Sequence, residues 1–368
     1  MLRKDMQTGA IHVMDKITSI EQVIAGIKPA SDKLKADTRK RIDNIAKPLN
    51  SLGILEDVLV RLGGAGILKK AYNPCVVVMC ADNGVVAEGV SQTGSDVTAK
   101  VAANMTRNMS SVCLMASSIS VPVYPYDIGM ITDVDGVTSI KTMYGTKDFY
   151  NEPAMSRNAA EQAVISGINT AIDMYNQGFD MIATGEMGIG NTTTSSAVAS
   201  VLTGQGVTVM TGRGAGLSDD ALARKIEVIR HGIDTLKPDK SDVIDVISKV
   251  GGLDIAGMAG LFLGGAYCGM PVIIDGFISG VAALAAAKLS PACVDYMIAS
   301  HMSKEPGSVK VFDELRLSPI MSMGMALGEG TGAVTVIPLI NMAVSVYDGM
   351  PTFDKLDMEA YKDYDRED

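Results

Sequence analysis

The chain has 368 residues, 47% hydrophobic and 20% charged, with 38 Gly, 24 Met and no Trp. That length allows one large domain, or a domain with a smaller satellite, and the apolar fraction excludes a disordered chain. A formal net charge of −10 argues against a nucleic-acid or anionic-membrane surface, since both need clustered Lys and Arg.

In chain order, the first sixty residues are charged and helical in period, with apolar positions at Ile20, Val23, Ile24 and Ile27. Residues 75–80, CVVVMC, form a short β-branched apolar run, the pattern of a strand buried on both faces. Ser95 opens a helical stretch. VPVYPY, 121–126, reads as a second strand, and its prolines suggest an edge position. Ala159, Val164, Ile165, Ile168 and Ile172 give a helical face that stops at Gly178. FDMIAT, 179–184, is a predicted strand, and 191–202 a helix with Asn191 as its N-cap. Ser218 and Ser241 precede further helices. PVIID at 271–275, a helix through Ala287 and YMIAS at 296–300 continue the alternation. Strands alternating with helices predict an α/β domain on a mostly parallel sheet. The N-terminal helices and a helix around VIPLINMAVSVY suggest a smaller, mainly helical domain.

Several classes are disfavoured. The five cysteines, Cys75, Cys80, Cys113, Cys268 and Cys293, form no CxxC and read as buried thiols in a reducing compartment. His12, His231 and His301 have no metal-ligand spacing, so no metal site is expected. The N-terminus lacks the apolar core of a signal peptide, and a cytoplasmic location is expected. The uncharged run Ile255–Ile274 reads as a buried helix followed by a buried strand, with a membrane span as the remote alternative. About four units of the negative charge fall in the last fifteen residues, which read as a solvated acidic tail.

The glycines concentrate at 185–216, 251–280 and 324–332, which hold 21 of the 38. In open α/β sheets, ligands bind outside the carboxyl ends of the strands, so the loops there carry the search. GEMGIGNTT, from 185, has Gly188 and Gly190 ahead of a helix start, with Asn191, Thr192 and Thr193 as neutral donors. That is a phosphate cradle without the Lys of a P-loop, or simply a well-capped helix start. TGRGAGL, 211–217, is a second such loop, where Arg213 could add positive charge. Glu329 lies between Gly328 and Gly330 in a long uncharged stretch. Desolvation there would raise its pKa towards that of a general base, and the following helix N-terminus would oppose the rise. The plain alternative is a surface Glu in a turn. Glu186 is a second carboxylate beside the cradle, and Lys225 sits in an amphipathic helix where solvation is the default. GGLDIAGMAGLFLGG, from 251, suggests tight helix packing.

ADNGVVAEGV, GEMGIGNTT, TGRGAGL, GGLDIAGMAG, PVIIDGFIS, SHMSKEPG and LGEGTGA occur in the order found in nicotinate-nucleotide:dimethylbenzimidazole phosphoribosyltransferases. The chain resembles that family over roughly residues 10–350. The resemblance implies a mostly parallel Rossmann-like α/β domain, 61–310, flanked by helices. It also implies a smaller helical domain from 1–60 and 311–368, and a homodimer or a heterodimer with a paralogous chain. The implied reaction moves the 5-phosphoribosyl group of nicotinate mononucleotide to a lower-ligand base of cobamides, with inversion at C1′ and no cofactor or magnesium. Under that resemblance Glu329 is the general base, and Glu186 and Lys225 are further active-site residues. Gly188, Gly190, Asn191, Gly214 and Ser303 surround the donor phosphate, and Thr192, Asp82, Asn83, Val101 and Met187 belong to the substrate site. Two positions depart from the family pattern: Asn83 stands where His is usual, and Val101 where Gln often faces the acceptor ring. With Met187 nearby, an apolar acceptor pocket would suit a phenol or cresol, the acceptors of a heterodimeric branch, or a simple benzimidazole. A supporting subunit is the alternative; a dinucleotide oxidoreductase is disfavoured, since no GxGxxG follows the first strand.

Overall fold

The structure is a computed structural model that describes residues 13–362. His12 and the end of the acidic tail, 363–368, lie outside the described residues. Six parallel strands form one sheet: β1 (Pro74–Ala81), β2 (Val123–Gly129), β3 (Thr138–Ser139), β4 (Met181–Met187), β5 (Val272–Ile274) and β6 (Met297–Ala299). Their spatial order is β3-β2-β1-β4-β5-β6. The β-branched run of β1 is buried throughout because helices cover both faces of the sheet. β2 is not the edge strand its prolines suggested. Two residues of β3 pair outside it at Tyr126 and Asp127, beyond Pro125, so the missing proline N–H costs that ladder nothing.

β1 is flanked by β2 on one side and β4 on the other, in register Met79 to Glu186 and Cys80 to Met187. The connections leave β1 in one direction across the sheet and then in the other, which opens a crevice at the carboxyl ends of β1 and β4.

Within the 251–265 stripe, Gly260 and Gly264 seat one helix against another. Helix Leu253–Tyr267 crosses helix Arg157–Asn176 so closely that a Cβ on Gly167 would lie 1.9 Å from the Gly257 carbonyl oxygen, and one on Gly260 2.0 Å from that of Val164. The uncharged run therefore ends as a buried helix followed by β5, as its sequence suggested. Leu253–Tyr267 is the shorter of two apolar helices; among the described residues one helix, Thr331–Gly349, is long and apolar enough to cross a membrane by length and composition. Here it packs on β4 and on helices Ile54–Gly64 and Ser111–Ser117. The N-terminal helices meet the C-terminal segment directly. Ile45 bridges Thr352, Ala46 N–H donates to the Pro351 carbonyl at 3.0 Å, and Arg41 reaches the Tyr347 carbonyl at 2.9 Å.

Candidate active site

A cleft of about 300 Å³ opens at the carboxyl ends of β4, β5 and β6. Most of the anticipated residues line it. Glu186, Met187, Gly188, Gly190, Asn191 and Thr192 form one wall, and Gly214, Ser303, Val101 and Glu329 contribute from other segments.

The local fold at the cradle differs from the sequence expectation. β4 continues through Glu186 and Met187, so both belong to the strand rather than to a loop. The N-cap of helix Asn191–Thr203 is Gly190 in the left-handed region (φ 91°), and Asn191 is the first helical residue. Its amide is thereby freed from capping and donates to Glu186 Oε2. Ser241 precedes helix Val243–Val250 as expected, and Asp242 caps it.

Glu186 is buried, and desolvation pushes its carboxyl well above the usual range, aided by the negative charge of Asp254 and opposed by the Asn191 amide. Its Oε1 faces Gly328, where a Cβ would intrude to 2.4 Å. Glu329 is half-buried, not a solvated turn residue. Burial raises its pKa, and a 3.4 Å hydrogen bond from the Val112 N–H, in the first turn of helix Ser111–Ser117, works against the rise. Gly328, Glu329 and Gly330 all have positive φ (85°, 61° and 96°), which presents the Glu329 side chain at the cleft mouth.

Lys225 overturns the solvated default for its helix, Asp219–Leu236, because its side chain is fully buried. Its ammonium stands behind the cradle and donates to Thr192 Oγ1 at 2.8 Å and to the Gly212 carbonyl at 3.2 Å. Desolvation lowers its pKa to about 8, and Glu305 opposes that shift. Arg213 lines the cleft, but its charge is committed to Asp219 and the Leu217 carbonyl.

Asp82 and Asn83 stand behind the wall rather than on it. Asp82 Oδ2 accepts from the Ile131 N–H at 2.8 Å, and the Asn83 amide donates to the Ile189 carbonyl at 3.3 Å, bracing the cradle from below. Gly188 is needed there because a Cβ would lie 2.5 Å from the Ala81 carbonyl and 2.8 Å from Asp254 Oδ2.

Three titratable residues on the cleft were not anticipated as site residues. Asp275 and His301 follow β5 and β6 and are buried together. Burial drives the Asp275 carboxyl up and the His301 imidazole down, while each resists the other's shift. Glu305 accepts from the Gly214 N–H at 3.0 Å, so that donor, expected beside the phosphate, already faces a carboxylate. Their positions directly after predicted strands were the available signal.

Comparison with known proteins converges on one assignment. A sequence model of the phosphoribosyltransferase family matches residues 27–357. The chain belongs to that family. It is 46% identical to the nicotinate-nucleotide–dimethylbenzimidazole phosphoribosyltransferase of Acetivibrio thermocellus, over 88% of this chain and 93% of that protein. The protein of the same name from Clostridium acetobutylicum is 43% identical, over 94% of this chain and 99% of its own. The crystal structure of CobT from Thermus thermophilus superposes with a TM-score of 0.84 at 34% identity, covering 89% of this chain and all of that one. The all-parallel α/β architecture agrees with that likeness, and the chain is a phosphoribosyltransferase.

Proposed function

We propose that the protein transfers the 5-phosphoribosyl group of nicotinate mononucleotide to dimethylbenzimidazole or a related aromatic acceptor, releasing nicotinate and giving an α-ribotide for cobamide synthesis. The observation that carries this reading is the placement of half-buried Glu329 across one small cleft from a glycine cradle backed by buried Lys225.

In this reading the donor phosphate lies at the cradle, where the start of helix Asn191–Thr203 presents its positive end and Lys225 adds charge through Thr192. The acceptor nitrogen attacks C1′ from the face opposite the pyridinium. The C1′–N bond breaks, and its electron pair neutralises the departing nicotinate ring. The acceptor's proton passes to the Glu329 carboxylate, whose raised pKa suits a base working near neutrality. Glu186, whose carboxyl burial pushes above its ordinary range, would hold Asn191 in place.

Val101 and Met187 favour a second acceptor class. Both line the cleft and neither offers an amide to a ring nitrogen, which suits a phenolic acceptor attacking through oxygen. Retention of Glu186, Lys225 and Glu329 supports a catalytically competent chain rather than a supporting subunit of a heterodimer. Purified protein, alone and with any paralogous chain, is to be incubated with nicotinate mononucleotide and dimethylbenzimidazole, phenol or p-cresol, and the ribotide identified by mass. No ribotide from any acceptor would refute the reading. Product from dimethylbenzimidazole far in excess of the phenols would refute the phenolic preference.

A further inference from the structure

Asp275, immediately after β5, is buried and makes no use of its carboxylate on its own strand. Instead it reaches the segment that carries Glu329. Oδ2 accepts from the Gly330 N–H at 3.2 Å, and Oδ1 accepts from Gly332 at 2.7 Å and Ala333 at 3.0 Å. Gly332 and Ala333 are in the first turn of helix Thr331–Gly349, where no intrahelical acceptor exists for their N–H groups. The cap residue Gly330 has no side chain to supply one. A carboxylate from a different strand therefore performs the capping, and its charge suits the positive end of that helix.

The same helix start also lies against His301. A Cβ at Gly332 would lie 2.0 Å from His301 Nδ1 and 2.9 Å from Asp275 Oδ1, so the helix start is seated directly against this pair. Asp275 is itself fixed: its N–H donates to Ser279 Oγ at 3.2 Å, and Ser300 Oγ donates to its carbonyl. Immediately before these anchors Glu329 adopts a left-handed conformation unfavourable for a residue with a Cβ, and such a conformation persists only where its surroundings impose it.

We propose that Asp275 is the positioning residue for Glu329, pinning its backbone through the Gly330 N–H and the first turn of the following helix so that its carboxylate points into the cleft. The proposal rests on the reading of Glu329 as the base. The charged and titratable groups facing Glu329 are Glu186 from β4 and Asp275 from the end of β5, with His301 behind Asp275; the Val112 N–H faces its carboxylate. The Asp275 charge also raises the Glu329 pKa.

Asp275→Asn tests this in the full chain. An amide keeps the size but turns an NH₂ towards one of the three N–H groups and removes the charge. The expected result is a fall in kcat of about 10–100-fold, since small misplacement of a reacting group costs that much, with KM for nicotinate mononucleotide changed less than about twofold. The acid limb of the kcat profile moves to lower pH, because loss of the neighbouring anion lowers the Glu329 pKa; a purely structural role would not move it. A kcat within about threefold of wild type with an unmoved acid limb would overturn the proposal. Amide exchange separates this from failure of the functional reading and requires no turnover. In the wild-type protein the Gly332 and Ala333 amides are expected to be protected, and to lose that protection in D275N. Unprotected Gly332 and Ala333 amides in the wild type would overturn the proposal even if D275N does not fold or no acceptor is turned over.

Discussion

The backbone of Glu329 lies directly on Gly185. A Cβ at Gly185 would sit 2.3 Å from the Glu329 carbonyl oxygen and 2.7 Å from its carbonyl carbon. The first glycine of GEMG is thus not part of the phosphate cradle; it makes room for the loop that carries the other carboxylate. Gly185→Ala is expected to push that loop outward, because the obstruction is backbone and has no rotamer to change. Turnover should fall at least about tenfold with a loss of roughly 1–3 kcal/mol in stability, the usual cost of overpacking. Steady-state kinetics with a denaturant titration checks both; an unchanged kcat would show that the loop relaxes freely.

Glu329→Gln keeps an oxygen for the Val112 N–H and removes the proposed base. The expected loss in kcat is about 10²–10⁴-fold, with donor affinity largely retained. Isothermal titration with nicotinate mononucleotide separates these effects, and turnover within about tenfold of wild type would exclude Glu329 as the base.

Lys225 is expected to act on donor binding more than on chemistry, since it reaches the cleft only through Thr192. Lys225→Met should raise KM for nicotinate mononucleotide about tenfold or more while lowering kcat less. In the wild type, donor affinity should weaken as the pH passes upward through about 8, where the ammonium loses its proton. That alkaline dependence should vanish in the Met variant.

Asp254 is buried, and desolvation raises its carboxyl from 3.8 to about 6 against the opposing Asn191 amide and a 3.0 Å hydrogen bond from the Ile255 N–H. The folded chain therefore binds its proton more tightly than the unfolded chain, so this group favours folding at low pH and opposes it above about 6. Asp254→Asn is expected to be more stable than wild type at pH 7 by up to about 3 kcal/mol. The advantage should disappear as the pH falls towards about 4. Urea titrations across that range provide the check, and a D254N variant less stable at pH 7 would show that the charge has an unseen partner.

Val101→Gln places an amide on the cleft where the proposed acceptor would lie. Relative kcat/KM for dimethylbenzimidazole over p-cresol should rise by about tenfold, the worth of one hydrogen bond to a ring nitrogen. Competition between the two acceptors measures it directly.

The order of strands and helices was legible in the sequence because β-branched runs and helical periodicity are local signals, and the glycine stripe of 251–265 announced close helix packing for the same reason. Glu186, Glu329 and the glycines around them were also legible, since a carboxylate in an uncharged glycine-rich stretch stands out. What local pattern could not supply was each group's environment. The amphipathic period around Lys225 suggests solvent, yet docking of its helix against the cradle buries the ammonium. Asn191 reads as a cap, yet the left-handed Gly190 takes that role and releases its amide to Glu186. Asp275 and His301 gain their meaning only when β5 and β6 bring them under the start of a helix that begins more than fifty residues after β5. The sequence by itself determined which elements form and which chemical groups are present. Tertiary structure decided which of those groups lose water, and which backbone N–H groups they must satisfy, because desolvation and long-range hydrogen bonds depend on contacts between segments far apart in the chain.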